Sequence, residues 1–119
     1  MGSFRFKKEE RILRGAEFNQ VNLHGRRHYT EHFRVVIKQN SMGSTRLGIT
    51  VGKKAGNSAK RNRIKRLIRE FFRLNKQHIP AGYDILISPT KAADALTILK
   101  VQEELGDLLI KNEALFLSS

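Results

Sequence analysis

The residues best suited to do chemistry in this chain are the lysines and arginines of one short segment. Ten of the 23 lysines and arginines lie in residues 53–76, which contain a single acid, Glu70. A guanidinium group donates two parallel hydrogen bonds to a phosphate, and several such contacts on one surface bind a polyanion in a strongly salt-dependent way. The segment therefore predicts a binding surface for nucleic acid, although a merely solvated cationic face is the alternative.

The other polar residues form no recognisable catalytic pattern. The sequence has no cysteine, and its serines and glycines form neither a nucleophile elbow nor a phosphate-binding loop. Glu103, Glu104 and Asp107 are expected on the outer side of a helix. His28 and His32 are four residues apart but flank a predicted strand, which is not a metal-ligand spacing. We therefore expect no metal site and no bond-breaking group in the chain itself.

Length and charge limit the remaining possibilities. We expect a single domain over residues 1–119, with residues 1–10 flexible, because this length is typical of one domain. The net charge of +12 favours a polyanionic partner. No apolar stretch approaches the ~20 residues that span a bilayer, and the N-terminus has no apolar secretion signal. We therefore expect a cytoplasmic protein with no membrane partner.

A helix is predicted to position the basic segment. From Ser58 to Asn75 apolar residues recur at helical spacing, and Asn57 is suited to cap the helix N-terminus. The apolar face contains Ile64, Leu67, Ile68, Phe71 and Phe72. The polar face contains Arg61, Asn62, Lys65, Arg66, Arg69 and Arg73, with Arg63 at the border beside Glu70. One face is thus expected to pack on a sheet and the other to meet nucleic acid.

Three strands and two further helices are predicted around this helix. Residues 33–38 and 46–51 alternate apolar and polar side chains across a turn, which predicts an antiparallel hairpin. Residues 83–88 predict a third strand. Residues 15–24 predict a short helix that ends at a glycine, and residues 97–112 predict the last helix. The order helix-strand-strand-helix-strand-helix predicts an α+β fold, a two-layer α/β sandwich in which helices cover one sheet face.

The uncovered face of the predicted sheet is a second candidate site. Its basic and small side chains would leave a shallow open groove, lined by Arg34, Val36, Lys38, Arg46, Gly48 and Thr50. Phe18 and Val21 of the first helix are placed to line its edge, with ordinary core packing as the alternative for Phe18. A basic helix packed on a sheet favours RNA over DNA, because a DNA recognition helix usually belongs to an all-helical unit. We therefore expect an RNA partner and no DNA.

These motifs together resemble those of the bacterial ribonuclease P protein subunit. The resemblance covers about residues 9–112. It rests on Arg11 and Leu13, Phe18 and Val21, and residues 46–48, 53–57, 61–69 and 83–87, in that order. It implies a small sandwich with a central, mostly antiparallel sheet and a left-handed βαβ crossover, similar to domains of ribosomal protein S5 and elongation factor G.

The resemblance also implies a function. Ribonuclease P removes the 5′ leader of precursor tRNA by hydrolysing one phosphodiester bond, and the bacterial active site, with its Mg²⁺ ions, belongs to the catalytic RNA subunit. The chain would then be an endoribonuclease subunit without the catalytic site. Contacts to the RNA subunit are expected for Arg61, Asn62, Arg63, Lys65, Arg66, Arg69 and Arg73. Contacts to the leader are expected for Phe18, Val21, Asn22, Arg34, Val36, Lys38, Arg46, Thr50, Lys53 and Lys54.

Two positions depart from the family pattern. Family members often carry aromatic residues where this chain has Asn22 and Val36, so leader binding here is expected to depend more on cations and less on base stacking. The competing interpretations are a ribosomal or ribosome-assembly RNA-binding protein of similar fold and a basic DNA-binding module. The ribosomal interpretation predicts co-sedimentation with ribosomes and no effect on tRNA maturation.

Overall fold

A four-stranded sheet lies at the centre of the protein in a computed structural model that describes residues 15–91, 96–112 and 114–117. Its elements are α1 Ala16–His24, β1 Arg26–Tyr29, β2 Phe33–Gln39, β3 Arg46–Ile49, α2 Ser58–Asn75, β4 Tyr83–Pro89, α3 Ile98–Leu109 and α4 Ala114–Leu117. The predicted α+β class with a mostly antiparallel sheet is confirmed. The segment 1–10, and Arg11 and Leu13, lie outside the described residues. No helix in the described ranges is long and apolar enough to cross a membrane.

The basic helix α2 has the predicted bounds, Ser58–Asn75, and the predicted cap. The Lys60 N–H donates a hydrogen bond of 3.0 Å to the side-chain oxygen of Asn57, which satisfies one of the free donors at the helix start. Its inner face is buried through Ile64, Ile68, Phe71 and Phe72. The amphipathic character of α2 is therefore confirmed.

The strand order differs from the predicted hairpin. The strands lie in the order β1-β2-β4-β3, with β4 antiparallel to β2 and parallel to β3. The predicted antiparallel pairing of residues 33–38 with residues 46–51 is therefore wrong. Ile85, Leu86 and Ile87 are all buried, and such a continuous apolar run is typical of a strand that is covered on both faces. This burial agrees with the central position of β4 in the sheet. Helix α2 forms the crossover between β3 and β4.

A fourth strand, β1, was not predicted. It pairs antiparallel with β2, and the hairpin closes with a hydrogen bond of 2.8 Å from the Thr30 N–H to the Phe33 carbonyl. The sequence of β1 is RRHY, and three of its four residues are exposed. The sequence of this strand shows no alternation of apolar and polar residues. An edge strand is held in the sheet by backbone hydrogen bonds and buries little of its own side-chain surface.

Helices cover both faces of the sheet, so the prediction of a single covered face is wrong. On one face, α2 and α3 pack on Val35, Ile37, Ile85 and Ile87 in the main core. On the other face, Val21 of α1 forms a second cluster with two buried strand residues, Val36 and Leu86. The sheet face that was predicted to be uncovered is therefore partly covered by α1.

Gly25 ends α1 as predicted, but close packing explains the glycine. Its φ of −77° is accessible to any residue, and its N–H donates a hydrogen bond of 2.8 Å to the Val21 carbonyl. A Cβ on Gly25 would lie 2.6 Å from Cγ1 of Val36 and 2.7 Å from that carbonyl oxygen. Glycine therefore allows the chain to pass from α1 into β1 directly against β2.

Glu104 ties α3 to the β1–β2 turn, so its predicted place on the outer side of the helix is wrong. Its Oε1 accepts hydrogen bonds from the Thr30 hydroxyl at 2.7 Å and from the His32 N–H at 2.9 Å. Its Oε2 lies 2.6 Å from Nδ1 of His32. The side chain is 11% exposed, compared with 68% for Glu103 and 60% for Asp107. The spacing along α3 could not show that a turn 72 residues earlier supplies the partners of Glu104.

Acid is expected to weaken this connection. Burial alone would raise the pKa of Glu104, but the hydrogen bonds from Thr30 and His32 outweigh it and lower the pKa below its ordinary value. A carboxyl with a lowered folded-state pKa adds stability that is present above its unfolded pKa of about 4.3 and is lost as the pH falls through the folded value. The stability difference between the wild type and Glu104→Gln should therefore shrink on acidification.

Urea unfolding at a series of pH values measures this difference. In the matched variant Glu103→Gln, which removes an exposed neighbouring charge, the difference from the wild type should stay near zero throughout. A constant difference for Glu104→Gln between about pH 6 and pH 3 would show that ionisation of this carboxyl does not stabilise the fold.

Candidate nucleic-acid interface

The outer side of α2 presents cations that lack acidic partners. Asn62, Arg66 and Arg69 are exposed and lie on one stripe of the helix, and Lys65 beside them is partly exposed. Within the part of the chain that the structure describes, Lys65, Arg66 and Arg69 make no hydrogen bond or ion pair through their side chains. These three side chains, here called the free cations of α2, are therefore available to an anionic partner.

The other three arginines of α2 are held by the protein itself. Arg61 donates a hydrogen bond of 3.2 Å to a serine hydroxyl one turn earlier. Arg63 donates to the main-chain carbonyl of Leu96 and so connects α2 to the segment before α3. Arg73 donates to Glu70 through Nε at 3.1 Å and Nη2 at 2.5 Å, and these bonds lower the pKa of Glu70. The seven residues predicted to bind the RNA subunit thus share one helix but differ in how free they are.

The register of the sheet arranges the face under α1 into three rows of side chains, since directly paired residues point to the same side. The outer row contains Tyr29, Arg34, Ser88 and, one residue beyond the pairing of Ile49 with Ile87, Thr50. The middle row contains Arg27, Val36, Leu86 and Gly48. The inner row contains Lys38, Asp84 and Arg46.

Helix α1 lies over the middle row and separates the other two. Its Asn22 reaches the outer row, where Nη2 of Arg34 donates a hydrogen bond of 3.2 Å to the Asn22 side-chain oxygen. Its Glu17 reaches the inner row, where Nη1 of Arg46 donates a hydrogen bond of 2.9 Å to a Glu17 carboxylate oxygen. The helix therefore leaves one groove on each side, here called the outer groove and the inner groove.

The outer groove brings together six of the ten residues predicted to bind the leader. They are Phe18, Asn22, Arg34, Thr50, Lys53 and Lys54. Phe18 lies one helical turn before Asn22 on the same side of α1 and is only partly buried, because it packs against the second apolar cluster from its edge. Lys53 and Lys54 follow β3 in an exposed turn of 3-10 helix, Lys53–Ala55. An aromatic ring and an amide thus lie beside Arg34 at the outer row, and two exposed lysines follow Thr50 along the chain.

Four predicted leader residues lie elsewhere. Val21 and Val36 are 1% and 0% exposed, because α1 covers them, so they support the groove without forming its surface. Lys38 and Arg46 lie on the other side of α1, in the inner groove, whose volume is about 650 Å³. Alternation along a strand shows which face a side chain is on, but it does not show what covers that face.

Arg46 has a partner for each edge of its guanidinium group. Its Nε and Nη2 donate hydrogen bonds of 2.8 Å to the two carboxylate oxygens of Asp84, in addition to the bond to Glu17. The hydrogen bonds with Asp84 raise the pKa of Arg46 above its ordinary value. Arg46 is 8% exposed and Asp84 is 3% exposed. Arg46 is therefore held within the fold by two acids, and its predicted contact with the leader stays a prediction.

Sequence reasoning missed Tyr29, Arg27 and Ser88 on this face. Tyr29 and Arg27 belong to β1, which had no alternating pattern, and Ser88 was noted only as the end of a strand. The preference of tyrosine for strands was the one available signal for β1, and it is weak for a four-residue segment.

In residues 15–91, 96–112 and 114–117, Glu31, His32 and Glu104 form the one group of three potential metal ligands. Both oxygens of Glu104 already accept hydrogen bonds from the β1–β2 turn, and the His32 ring is engaged through Nδ1. Mg²⁺ requires several oxygen ligands in octahedral geometry, and only the exposed Glu31 carboxylate remains. This group therefore does not fit a Mg²⁺ site.

Comparisons with known proteins find relatives along nearly the whole chain. The family described as Ribonuclease P matches residues 6–113. The "Ribonuclease P protein component" of Syntrophus aciditrophicus is 47% identical over 111 residues, which cover 93% of each chain. That of Desulforapulum autotrophicum is 41% identical over 111 residues, which cover 93% of this chain and 95% of the relative.

Solved structures agree with these matches. The RNase P protein from Thermotoga maritima is similar with a TM-score of 0.79 and 36% identity, over 86% of this chain and 96% of that chain. The RNase P protein of Staphylococcus aureus is similar with a TM-score of 0.78 and 36% identity, over 90% of this chain and 97% of that chain. The similarity therefore extends over sequence and fold together.

Proposed function

This chain belongs to the ribonuclease P protein family, and from that membership we propose that it binds two RNAs at once. Through α2 it binds the catalytic RNA subunit, and through the outer groove it binds the 5′ leader of precursor tRNA. The ribonuclease P holoenzyme is an endoribonuclease of tRNA processing, and the family protein is its protein subunit. The observation that carries the proposal is that one sheet supports a cationic surface on each of its two sides.

The free cations of α2 suit a structured RNA. Their stripe extends along a helix that is anchored by buried isoleucines and phenylalanines, so the cations are held on a rigid element. Like charges on one helix face repel one another by a few tenths of a kcal/mol per pair, and phosphates bound there would remove this repulsion. Asn62 in the same stripe adds a neutral donor and acceptor for RNA groups other than phosphate.

The outer groove suits a single strand better than a duplex. Its cations, Arg34, Lys53 and Lys54, are placed for a backbone, while Phe18 presents a partly exposed ring to a base. Asn22 accepts a hydrogen bond from Arg34 and keeps that guanidinium group at the edge of α1. The 5′ leader is a single-stranded extension of precursor tRNA, and we assign it to this groove.

The protein's part in the reaction is to position RNA. Among the residues that the structure describes, the outer groove contains no pair of carboxylates or histidine that is placed to move a proton, and we assign the hydrolysis to groups of the RNA subunit. We propose that the Mg²⁺ ions of the reaction are held mainly by the RNA subunit. The site of action would be the bacterial cytoplasm, where precursor tRNA is made.

Reconstitution tests this proposal directly. The chain with its cognate RNA subunit is expected to cleave precursor tRNA at a lower Mg²⁺ concentration than the RNA alone, because protein cations replace part of the neutralising metal. The complex should also bind leader-bearing precursor more tightly than mature tRNA. Cleavage by the chain alone, or equal affinity for the two tRNAs, would reject the proposal.

The variant Phe18→Ala tests whether the preference for leader-bearing precursor comes from the outer groove. Loss of one base-stacking contact should reduce affinity for the leader-bearing precursor about tenfold and leave affinity for mature tRNA unchanged. Leu23→Ala is the matched control, because Leu23 is an apolar residue of the same helix and is 71% exposed. A similar loss in both variants would place the leader elsewhere.

A further inference from the structure

We propose that Tyr29 binds a base of the 5′ leader beyond the outer groove, an inference that rests on the proposed function. Tyr29 is the last residue of the edge strand β1 and is 65% exposed. Its ring and hydroxyl make no ring contact or hydrogen bond within the described ranges of the chain. A large aromatic side chain thus stands in solvent at one end of the outer row.

The neighbours of Tyr29 are cations that are held in place. Arg34 is its direct cross-strand partner, at a Cβ separation of roughly 5 Å. Arg27 lies two residues earlier on the same face of β1. Both guanidinium groups are fixed by Asn22, since Arg27 donates to its carbonyl at 3.1 Å and Arg34 donates to its side-chain oxygen at 3.2 Å. The ring therefore stands beside two positioned cations.

The two acids near this ring both lie beside His32. Glu31, two residues after Tyr29, has a carboxylate oxygen 3.9 Å from Nε2 of His32. Glu104 is turned toward the same histidine from α3, on the opposite side of the sheet. A phosphate that approaches this ring would consequently contact the guanidinium groups of Arg27 and Arg34 before it came near either carboxylate.

An exposed aromatic ring beside fixed guanidinium groups is a combination that proteins use to bind single-stranded RNA. Bases stack on an aromatic ring whatever their sequence, and adjacent guanidinium groups contact the backbone. Phe18 on α1 and Tyr29 on β1 are the two partly or largely exposed aromatic rings on this face within the described residues. Asn22 and Arg34 lie between them and connect the two rings by one polar surface.

The position of Tyr29 also indicates in which direction the RNA leader would run along the outer row. The outer row crosses four strands, so Tyr29 and Thr50 are separated by roughly 14 Å at about 4.8 Å per strand. Thr50 leads through Lys53 and Lys54 into α2, the helix assigned to the catalytic RNA, so the Thr50 end is nearer to the cleavage site. A stacked strand rises about 3.4 Å per nucleotide, so Tyr29 lies about four nucleotides farther along the leader.

A series of leader lengths tests this assignment in the reconstituted complex. Affinities are measured for precursors with leaders from about two to about twelve nucleotides and for mature tRNA, using the wild type, Tyr29→Ala and Tyr29→Phe. Tyr29→Ala should lose about tenfold in affinity for the long leaders and nothing for the shortest leader or mature tRNA. Tyr29→Phe, which keeps the ring, should stay within about twofold of the wild type throughout.

A fluorescent base analogue placed along the leader provides a second readout. Its emission should be quenched at one position in the wild type and in Tyr29→Phe, and recover in Tyr29→Ala. Leu99→Ala is the control for loss of an exposed apolar residue, because Leu99 is 76% exposed on α3, on the other side of the sheet. No loss in Tyr29→Ala, or an equal loss at every leader length, would overturn the inference while the wild-type preference for leaders still supports the proposed function. Absence of that preference in the wild type would reject both.

Discussion

The double variant Arg66→Ala/Arg69→Ala is expected to bind the catalytic RNA subunit at least about 100-fold more weakly than the wild type at low salt. A hydrogen bond to a charged group contributes about 1.5–3 kcal/mol, and each 1.4 kcal/mol changes a dissociation constant tenfold. Both arginines are exposed and have no partner within the described residues, so their removal disturbs no internal contact. The loss should therefore be a loss of RNA contacts with the fold intact.

Salt dependence identifies the kind of contact that is lost. Each phosphate contact adds about one to the slope of log affinity against log salt concentration, so the double variant should show a slope smaller by about two. The measurement is a binding titration of labelled RNA subunit from about 50 to about 200 mM salt.

Removal of two paired cations, one in α3 and one just beyond its end, provides the matched control for charge. Lys100 and Lys111 lie close to Glu103 at 3.7 Å and Asp107 at 3.2 Å, respectively. The variant Lys100→Ala/Lys111→Ala changes the net charge by the same amount but should leave affinity and salt slope almost unchanged. Equal losses in the two double variants would mean that net charge, and not the α2 stripe, governs RNA binding.

The variant Asp84→Asn is expected to lose about 3–5 kcal/mol of its free energy of unfolding, the usual cost of leaving one buried charge without its partner. Asparagine keeps the size of the side chain but removes the negative charge that Arg46 contacts through two hydrogen bonds of 2.8 Å. Glu17 compensates only in part, since its side chain is 40% exposed and solvent weakens the interaction.

Urea unfolding measures this loss, and Asp107→Asn is the control for an exposed acid. Asp107 pairs with Lys111 at the surface, where such pairs contribute at most about 1 kcal/mol. A loss of less than about 1 kcal/mol in Asp84→Asn would show that Arg46 is not held by this pair. Glu17 would then be the main acidic partner of Arg46.

Local patterns predicted α2 and its cap because both depend on residues within one or two turns. The apolar spacing of Ile64, Ile68 and Phe71 and the cap at Asn57 are each decided inside the helix. The same spacing placed the cations of α2 on its outer side, but it did not show which of them contact other residues of the protein.

The pairing of strands and the covering of sheet faces depend on residues that are distant in sequence, so local patterns did not reveal them. Alternation placed Val36 and Arg46 on one face, but α1 buries the first and Asp84 pairs with the second. Neither partner is near in sequence to the residue that it affects. β1 lacked a pattern altogether, so the single groove predicted on this face did not include Tyr29.

The insertion of β4 between β2 and β3 has a consequence for the order of folding. During synthesis α2 leaves the ribosome before β4, yet β3 joins the sheet only through β4, and the apolar face of α2 packs on side chains from both strands. Contacts between residues far apart in sequence form slowly, because the intervening chain must first be closed into a loop. The cationic helix of a nascent chain therefore has no completed sheet to pack on until residue 89 has emerged, and the surface that we propose for RNA is completed together with β4.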